Sequence, residues 1–321
     1  MSDYSVTRLQ AGEEKLWNSF LQEAINSTFY STIPFLDFYA HKVNELLKLV
    51  FWKKNKIIAL FPAGLVGNYG SFSICSPFSA SFGGFVHNEN LTIEDSISIV
   101  EMLNEYAYEN NIKSINITQP PSIYCKYHSD IIEYSLLVGG FSLESYEVSP
   151  YLPLSGNLDN KFCSSTSWAI NKLSKNNKYK FELKVNRDNK SSFDLIRGHR
   201  EKNGIIFPYV FEEINKLSEL TSKVYFFELL SEGELFASCF AYALNEYCLI
   251  CMHWAYSEEV KLLRPMPLFI KMMATWASDN NFKFMDFGTT TVNGVPNLGL
   301  TRFKENFRPL KVMRKTWSRK L

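Results

Sequence analysis

Polar chemistry is concentrated in one stretch near the C-terminus, FMDFGTTTVNGVPNLGLTRFKENFRP at residues 284–309. An apolar run ends there on Asp286, and a loop rich in glycine, threonine and asparagine follows. A carboxylate at a strand end can orient or deprotonate an attacking amine, or it can form an Asx turn that organises the loop. Gly288, Thr289 and Asn293 offer groups that suit a sugar, a peptide or a phosphate. We therefore predict that this loop contacts substrate, with a solvated loop as the alternative.

A glycine pair, Gly83 and Gly84 in SFGGF, lies between a predicted strand and a predicted helix. Glycine lets the backbone approach a ligand closely, so consecutive N–H groups here could form a nest for an anionic group. The same pair is also typical of an ordinary turn. We predict that Gly83 and Gly84 contact substrate and keep the turn as the alternative.

Positive charge is concentrated at the C-terminal end of a chain that is otherwise balanced. The formal net charge of +1 gives the whole molecule no general attraction to nucleic acid or membrane. The tail forms either a rim that attracts phosphate groups or the solvated edge of a last strand. The tail from Arg302 to Leu321 contains one acidic residue, Glu305. Its basic residues are Arg302, Lys304, Arg308, Lys311, Arg314, Lys315, Arg319 and Lys320.

Length and composition exclude several classes of protein. A chain of 321 residues with 46% hydrophobic and 15% aromatic residues is globular and long enough for one large or two ordinary domains. Its start, MSDYSVTRLQAGEEK, is charged where a signal peptide needs an apolar segment, and no run of about 18 apolar residues could span a membrane. We therefore expect a cytoplasmic protein without a transmembrane segment.

The cysteines give little support to a metal site. Cys248 and Cys251 form C-x-x-C close to His253, but the run YCLICMHW is strand-like, and residues three apart on a strand point to opposite faces. The histidines lie far apart in the sequence. We predict that the two cysteines pack in the core as thiols and that the protein holds no metal ion.

An internal repeat is visible in the two halves of the chain. AYENNIKSINIT at 107–118 and ASDNNFKFMDFG at 277–288 align without gaps and share A-x-x-N-N-x-K. Each follows an apolar-periodic segment, so each predicts a helix, an Asn-Asn stop and a strand. Upstream, LVFWKKNKIIALFPA and FFELLSEGELFASCFA both predict hairpins, and a third strand follows each in YGSFSICSP and YCLICMHWAY.

The order of elements is therefore the same in both halves. We predict a strand, two helices, three antiparallel strands, a helix and a parallel strand in each. The join should lie near residues 150–165, where prolines, a glycine and polar turn residues gather. The fold class is α/β with mixed α+β sheets, divided into domains at residues 1–150 and 151–321.

This element order resembles the GCN5-related N-acyltransferase (GNAT) fold, and two such halves in tandem resemble the FemAB-like group. That group includes the aminoacyltransferases that build peptidoglycan interpeptide bridges. Four segments carry the resemblance, which covers essentially the whole chain. They are SASFGGFV at 79–86, WAINKLSKNNKYKFEL at 168–183, the helix with Arg200 and Asn203, and MDFGTTT to GLTRFKENF at 285–307.

The resemblance implies two tandem GNAT-like domains and an acyl-transfer site. In the bridge-forming relatives a Phe-Lys pair lies at that site, and LTRFKENF matches the pair at Phe303 and Lys304. Catalytic roles are thus expected for Phe303, Lys304 and Asp286, with the Lys304 ammonium pointing back toward Asp286 to stabilise an oxyanion. The alternative for Lys304 is a surface lysine in the basic tail.

The donor site departs from the usual pattern of the fold. Single-domain members bind the coenzyme A pyrophosphate on N–H groups at the start of the long helix, through a glycine-containing loop. This chain has SEEVKLLRPMPLFIKMM there, in which Arg264 could meet a donor phosphate, while Pro265 and Pro267 lack N–H groups. The bridge-forming relatives use an aminoacyl-tRNA donor, which needs no such loop.

A ligand cleft is expected between the two halves, because domain junctions and open α/β sheets favour ligand sites. Trp254 and Tyr256 at the end of the third strand should face it, with Arg200 as a clamp for an anionic group. His253, beside Trp254, is either packed and hydrogen-bonded or catalytic.

Together these features predict an N-acyltransferase of the GNAT and FemAB-like type. It would transfer an acyl or aminoacyl group to a primary amine on a sugar or peptide precursor of the cell envelope, peptidoglycan or a polysaccharide. Acyl-CoA is the expected donor and aminoacyl-tRNA its rival. The alternative is a non-catalytic protein that binds a glycan or a peptide with a duplicated GNAT fold.

Overall fold

The computed structural model describes residues 3–158, 162–186 and 190–321. Two compact units divide the chain. The first holds the residues up to Val148 together with Val312–Leu321, and the second holds Ser149–Lys311.

The predicted join at 150–165 begins beside the passage from the first unit to the second. Within it, residues 159–161 lie outside the described residues. The division of the repeat into residues 1–150 and 151–321 stays a prediction, because the units are defined by packing and not by the repeat.

Strands and helices alternate along the first half of the chain. Its strands are β1 (Tyr4–Arg8), β2 (Glu45–Lys53), β3 (Lys56–Val66), β4 (Ser73–Ser76), β5 (Val86–His87), β6 (Ser114–Thr118) and β7 (Ser142–Pro153). Its helices are α1 (Glu14–Glu23), α2 (Ile33–Phe38), α3 (Ile93–Glu109) and α4 (Ile131–Val138). Short 3-10 turns lie at Phe29–Ser31, Ala40–Lys42 and Ser122–Tyr124.

The second half has the same alternation. Its strands are β8 (Phe181–Asn186), β9 (Val224–Ser231), β10 (Glu234–Ala243), β11 (Cys248–Tyr256), β12 (Phe284–Asp286), β13 (Thr291–Val292), β14 (Val295–Pro296) and β15 (Leu310–Lys320). Its helices are α5 (Ser164–Ser174), α6 (Lys190–Lys202), α7 (Phe211–Leu220), α8 (Met266–Asp279) and α9 (Leu298–Glu305). A 3-10 turn at Glu258–Leu263 precedes α8.

The predicted order of elements is confirmed in both halves. It runs β1, α1, α2, β2, β3, β4, α3, β6 in the first and β8, α6, α7, β9, β10, β11, α8, β12 in the second, except that the first half has the additional two-residue strand β5 between β4 and α3. The hairpin strands pair antiparallel in each half. The third strand and the strand after the long helix pair in parallel, β4 with β6 and β11 with β12.

The two Asn-Asn stops end α3 and α8 by the same device. Asn111 and Asn281 take the left-handed conformation, with φ of 55° and 66°. The side chains of Asn110 and Asn280 donate to the carbonyl four residues earlier, at 2.7 and 2.8 Å. Asparagine tolerates the left-handed conformation better than most residues, so it ends a helix well at this position. The shared A-x-x-N-N-x-K motif therefore marks equivalent helix ends.

The sheet of the first unit has the order β1-β2-β3-β4-β6-β15, with β5 beside β3. Its edge beyond β6 is completed from the far end of the chain, because Thr316–Lys320 of β15 pair antiparallel with Ser114–Thr118. One hydrophobic core packs the sheet against α3 and α4 and includes Trp317. A second core around Trp17 and Leu36 packs α1 and α2 on the sheet.

The sheet of the second unit has the order β7-β12-β11-β10-β9-β8, in which β7 contributes Tyr151–Pro153 opposite β12. The core of this unit lies between the sheet and helices α5 and α8. Helix α6 packs on β9, β10 and β11. Across residues 3–158, 162–186 and 190–321, no helix combines the length and the apolar character that crossing a bilayer needs.

Candidate functional site

In the second unit, the pairing between β11 and β12 ends partway along β11. β12 pairs in parallel with β11 over Cys248–Ile250, and β11 then continues to Tyr256. Relative to β10, β11 has one extra residue at Met252, so the strand bulges there. Bulges re-aim side chains and are common beside active sites. Most of the predicted site residues lie around this open strand end.

Asp286 is fully buried at the end of β12. Its Oδ1 accepts hydrogen bonds from the Ser149 hydroxyl at 2.6 Å and from the N–H of Gly288 at 2.7 Å. A bond to the N–H two residues later is the Asx turn that the sequence offered as the alternative role. The turn is therefore present, and a catalytic role for Asp286 stays a prediction.

Lys304 lies in the last turn of α9 and is 2% exposed. Its Nζ donates to the carbonyls of Gly288 at 2.9 Å and Thr289 at 3.0 Å. Asn297 caps the start of this helix, since its side chain accepts from the N–H of Leu300 at 3.0 Å. Lys304 is thus a buried cation that reaches back to the loop, unlike the surface lysine that was its alternative. Its catalytic role stays a prediction.

Gly288 is held from both sides, because Asp286 accepts from its N–H and Lys304 donates to its carbonyl. Its φ is +73°, and an added Cβ would lie 3.3 Å from the carbonyl oxygen of Cys251 on β11. Glycine suits both the left-handed backbone and this close approach. Buried groups of opposite charge therefore fix one turn at the open end of β11 and β12.

The loop beyond Thr289 is a short hairpin of β13 and β14. Asn293 and Gly294 form its turn, with φ of 51° and 73°, as a type I′ turn requires. Asn293 is exposed at the tip, whereas Thr290 and Thr291 are buried. The predicted substrate contacts of Asn293, Thr289 and Gly288 stay predictions.

Phe303 lies in an aromatic cluster that links α9 to β11. Its ring packs edge-on against that of Phe307, with centroids 5.6 Å apart. Phe307 lies 5.9 Å from Phe287, which in turn lies 5.4 Å from Trp254 on β11. The structure thus connects two predicted site residues, Phe303 and Trp254, through two phenylalanine rings.

Arg200 and Tyr256 belong to neighbouring elements, because α6 packs on β11. The ring of Tyr256 lies 5.3 Å from that of His199, the residue before Arg200. Burial lowers the pKa of the Arg200 guanidinium, and its Nε has no hydrogen-bond partner among the described residues. An unpaired guanidinium N–H suits a clamp for an anionic group. The placement of these side chains in a cleft between the halves stays a prediction.

His253 follows the bulge of β11 and is packed among aromatic rings. Its ring centroid lies 5.1 Å from that of Phe207 and 5.5 Å from that of Tyr209. Burial lowers the pKa of His253 to about 3, and the nearby charge of Arg200 adds to the effect. The imidazole is therefore neutral at pH 7, and within the described part of the chain its Nδ1 has no partner. The ring is packed, its Nδ1 is buried without a hydrogen bond from the described residues, and a catalytic role for His253 stays a prediction.

Arg264 is exposed directly before α8, with φ of 52°. The helix begins with Pro265 as its N-cap and carries Pro267 in its first turn, and no described side chain caps it. Two residues at this helix start therefore lack an N–H group. Arg264 lies where the donor phosphate was predicted, and phosphate binding stays a prediction.

Gly83 and Gly84 lie in the first unit, where their N–H groups are used internally. Gly83 donates to the carbonyl of Thr118 at 2.8 Å, and Gly84 donates to the Ser76 hydroxyl at 2.7 Å. An added Cβ would lie 2.7 Å from Ser76 Oγ at Gly83 and 2.5 Å from Gln119 Nε2 at Gly84. These internal hydrogen bonds and close contacts are those of an ordinary turn, which was the alternative role for the glycine pair. Contact of Gly83 and Gly84 with substrate stays a prediction.

The basic tail is partly neutralised by internal partners. Lys315 pairs with Glu133 in the first unit, and Lys311 pairs with Glu305 at 3.3 Å in the second. Arg319 donates to the carbonyl of Gly139. These contacts reduce the charge available to a ligand along the tail.

The two cysteines of the C-x-x-C pair are fully buried, in agreement with their predicted core packing. Among the described residues, no group of three or more His, Cys, Asp or Glu side chains is placed to hold a metal ion.

Two buried carboxylates, Asp95 and Glu228, were missed by the sequence reasoning. Glu228 on β9 is 2% exposed and accepts hydrogen bonds from Ser192 Oγ at 2.5 Å and from Asn186 Nδ2. Both partners are neutral. Its signal in the sequence is a single acid inside the apolar run FFELLS.

Neither a protein-family model nor a curated protein matches this sequence. Solved structures do match the fold. The crystal structure of FemX aligns with a TM-score of 0.73 at 11% identity, over 99% of this chain and 97% of that chain. The structure of L-PGS from Bacillus licheniformis aligns with a TM-score of 0.59 at 14% identity, over 97% and 93%. A tandem GNAT protein from the clavulanic acid biosynthesis pathway aligns with a TM-score of 0.55 at 9% identity, over 99% and 98%.

Identities this low establish the fold alone. The fold is that of the tandem GNAT proteins, with mixed α/β sheets in both halves. More narrowly, the similarity to FemX over nearly the whole of both chains makes it a FemAB-like tandem GNAT fold. The resemblance predicted from the sequence is therefore confirmed at the level of the fold.

Proposed function

We propose that this chain is an N-acyltransferase that moves an acyl or aminoacyl group onto a primary amine of a cell-envelope, peptidoglycan or polysaccharide precursor. The observation that carries the proposal is Lys304, a buried ammonium held by the carbonyls of Gly288 and Thr289 at the open end of β11 and β12. Burying a cation is costly. A positive charge kept at a strand end suits a reaction in which negative charge develops.

The proposed reaction is direct attack on an activated carbonyl group. The amine nitrogen forms a bond to the carbonyl carbon of a thioester or an ester, and negative charge develops on the carbonyl oxygen. The C–S or C–O bond then breaks, and the proton of the attacking amine ends on the leaving thiolate or alkoxide. Lys304 stabilises the developing charge, and Asp286 keeps the turn around Gly288 in place for it. Phe303, the residue before this lysine, packs on Phe307 and is proposed to help position the helix end that carries Lys304.

The acceptor is proposed to bind along the end of β11. Arg200 holds an anionic group of the sugar or peptide precursor through its guanidinium group, and Trp254 and Tyr256 contact the remainder. A neutral imidazole has one acceptor nitrogen, so His253 can accept a hydrogen bond from the amine. Gly83, Gly84, Gly288, Thr289 and Asn293 are the further proposed substrate contacts.

Acyl-CoA is the proposed donor, and aminoacyl-tRNA is its rival. Arg264 is exposed beside α8, where it would meet a donor phosphate. Pro265 and Pro267 remove two N–H groups from the helix start, which favours the rival. Both donors are activated carbonyl compounds of the cytoplasm, which is the location that we propose for the protein.

A ligand panel on the full chain tests the proposal. Thermal unfolding is measured with coenzyme A, acetyl-coenzyme A, an aminoacyl-tRNA analogue and a nucleotide-sugar. A ligand present at a hundredfold its Kd stabilises the folded state by about 2.7 kcal/mol. We expect one donor to raise the Tm, and Arg264→Ala to reduce that shift if the donor is coenzyme A. Transfer to amine acceptors is then assayed with the donor that binds.

A non-catalytic glycan- or peptide-binding protein is the second candidate function. The prolines at the start of α8 favour it, since they remove part of a donor cradle. In the same panel, extended with a peptide, this function predicts a Tm shift with the nucleotide-sugar or the peptide and none with either donor. That outcome would contradict the transferase.

A further inference from the structure

The hairpin of β13 and β14 carries an exposed apolar surface. Val292 and Val295 flank the Asn293-Gly294 turn as a cross-strand pair, and each is 68% exposed. The side chains of a cross-strand pair lie on the same face of a hairpin, so the two valines form one apolar spot. Leu298, at the start of α9, is 59% exposed. We call Val292, Val295 and Leu298 the apolar tip.

The backbone keeps the apolar tip together. The N–H of Asn297 donates to the carbonyl of Thr290 at 2.8 Å, which closes the base of the hairpin beside the start of α9. Thr291, the residue before Val292, is buried, so the hairpin turns a polar side chain inward and its valine pair outward. Burying a valine is favourable, and neighbouring exposed apolar side chains mark interaction surfaces more often than scattered ones do.

The charge beside the apolar tip is positive. The chain contains no acidic residue from position 287 to position 304. Arg302 is exposed and lies one helical turn after the tip residue of α9, so the two share a helix face. The next acid, Glu305, is neutralised by Lys311 at 3.3 Å. Arg302 and the exposed Arg308 form no ion pair with the described residues, so they leave a local positive charge.

The apolar tip is too small for a stable interface with another protein. Such an interface takes about 20–30 residues from each partner, whereas the tip presents three apolar side chains. Among the described strands, β13 and β14 pair only with each other, so the tip is not continuous with the edge of the large sheet. A lipid headgroup layer accepts a few apolar side chains without a matching shape, and anionic lipids attract neighbouring arginines.

We propose that the apolar tip docks on the surface of an anionic lipid bilayer. Val292, Val295 and Leu298 enter the boundary between the headgroups and the acyl chains, and Arg302 lies among the lipid phosphates. The contact is peripheral and reversible, because few side chains make it. It needs neither an acyl donor nor an acceptor, so the inference does not rest on the proposed function.

Co-sedimentation of the full chain with lipid vesicles tests the docking. Vesicles of phosphatidylcholine that contain about 30% phosphatidylglycerol should bind the protein. Vesicles of phosphatidylcholine alone should bind it roughly 5- to 25-fold more weakly, because the two arginines then meet no net negative charge. Absence of binding at about 1 mM of the anionic lipid mixture, or equal binding to both kinds of vesicle, would overturn the proposal.

Two variants and a matched control separate the apolar and the ionic contributions. Val292→Ser combined with Val295→Ser changes only exposed side chains, so the Tm should stay close to that of the parent while vesicle binding falls roughly tenfold or more. Arg302→Gln should weaken binding to the anionic vesicles about fivefold. Leu220→Ser, at a 58% exposed position of α7, is the control and should bind as the parent does.

Two further results would contradict the bilayer as the partner. Vesicle binding that survives the double valine variant, or that falls equally in Leu220→Ser, would show that the apolar tip does not make the contact. Analytical ultracentrifugation without lipid checks the other occupant. A dimer of the parent that the double valine variant loses would mean that a second copy of the chain covers the tip, and would overturn the proposal.

Discussion

The two units build the same fold but differ at the start of the helix that follows the third strand. In the first unit, Thr92 caps α3 and Asp95 bonds back to Thr92, which closes a capping box. The Asp95 carboxylate also accepts from Lys53 Nζ and from the Tyr4 hydroxyl, both at 2.7 Å. In the second unit, α8 starts at Pro265, and no side chain in the described ranges caps it.

We propose that this difference corresponds to different tasks of the two halves. A helix start attracts anions, and the first unit fills that place with its own carboxylate, so a ligand phosphate would meet Asp95 there. The second unit instead keeps buried charge at the neighbouring strand end, on Asp286 and Lys304. For the proposed transferase, the comparison supports the second unit as the donor side, while the start of α3 is occupied by its own capping box.

Removing the charge of Lys304 should have the largest effect. Lys304→Met keeps most of the aliphatic stem but loses the ammonium, so turnover should fall roughly a hundred- to a thousandfold, as for the loss of one oxyanion donor. Stability should fall by about 1–3 kcal/mol, because two carbonyls lose their donor. The transfer rate with the donor found in the ligand panel and the Tm measure the two effects.

Asn297→Ala is the matched control for that variant. It removes the cap of the same helix at a cost of about 1 kcal/mol without touching the charge. Its Tm should fall while its turnover stays near that of the parent. If Lys304→Met turns over as fast as the parent, the lysine serves only to hold the Gly288 turn.

Exchanging the matched residues at the strand ends should have the next largest effect. The repeat aligns Asn116 with Asp286, so Asp286→Asn gives the second unit the residue of the first. The amide oxygen can still accept from Ser149 and Gly288, so we expect a loss of about 1–2 kcal/mol in unfolding free energy together with slower turnover. Denaturant unfolding and the transfer assay provide the two measurements.

The reverse exchange, Asn116→Asp, sharpens the comparison. It places a carboxylate beside the half-buried Cys75, whose pKa is raised by burial. The first unit should lose stability without any change in transfer chemistry.

Equal turnover in Asp286→Asn and the parent would mean that the charge of Asp286 is not used.

The capping box of the first unit predicts a smaller, pH-dependent effect. Burial raises the pKa of Asp95, but hydrogen bonds from Lys53, Tyr4 and Thr92 outweigh it and lower the pKa to about 2. Because the ordinary value of 3.8 is higher, the unfolded chain takes up the proton first. The stabilisation is complete above this ordinary value and is lost as the pH falls toward 2.

Asp95→Asn tests this effect in denaturant unfolding. At pH 7 the variant should be less stable than the parent by about 1–2 kcal/mol, because hydrogen bonds to a charged carboxylate are stronger than those to a neutral amide. The difference should shrink as both proteins are taken to acid pH. A gap that is equally large at pH 7 and pH 2 would contradict the ionic role of Asp95.

The smallest expected effect concerns the pKa of His253. Arg200→Met should raise it, but it should remain below 6.5, because burial is the larger cause of the shift. The folded state binds this proton less well than the unfolded chain, so stability should fall as the pH drops from 6.5 toward 3. Imidazole NMR titration measures the pKa, with Arg197→Met as a control on the same helix. An equal shift in the two variants would remove Arg200 as the local cause.

Local chemistry made much of the fold readable from the sequence. Some signals depend on only a few neighbouring residues, so the local structure they produce can be predicted from the sequence. They are the Asn-Asn stops at Asn111 and Asn281, the polar hairpin turns and the periodic helices. The loop after Asp286 was readable for the same reason. Its Asx turn and its Asn293-Gly294 turn are both local motifs.

Long-range packing explains what the sequence did not reveal. The family resemblance singled out Lys304, but its composition and spacing present only one basic residue of a basic tail, and its burial depends on the return of α9 toward Gly288. The segment VMRKTW alternates poorly, yet Trp317 is buried because β15 pairs with β6. Gln119 carries no local signal, since the burial of its Nε2 without a partner among the described residues depends on how the end of β6 meets the Gly84 turn.

The return of β15 to the first unit has a consequence for biosynthesis. Thr118 and Thr316, whose hydroxyl oxygens lie 2.8 Å apart, are 198 residues apart in the chain. At about 5–20 residues per second, the ribosome needs roughly 10–40 s to make the segment between them. During that time the edge of β6 has no partner strand, and an open strand edge pairs readily with other chains. A nascent first half is therefore exposed to aggregation until its sheet is closed, and residues 3–148 expressed alone would keep that edge open permanently.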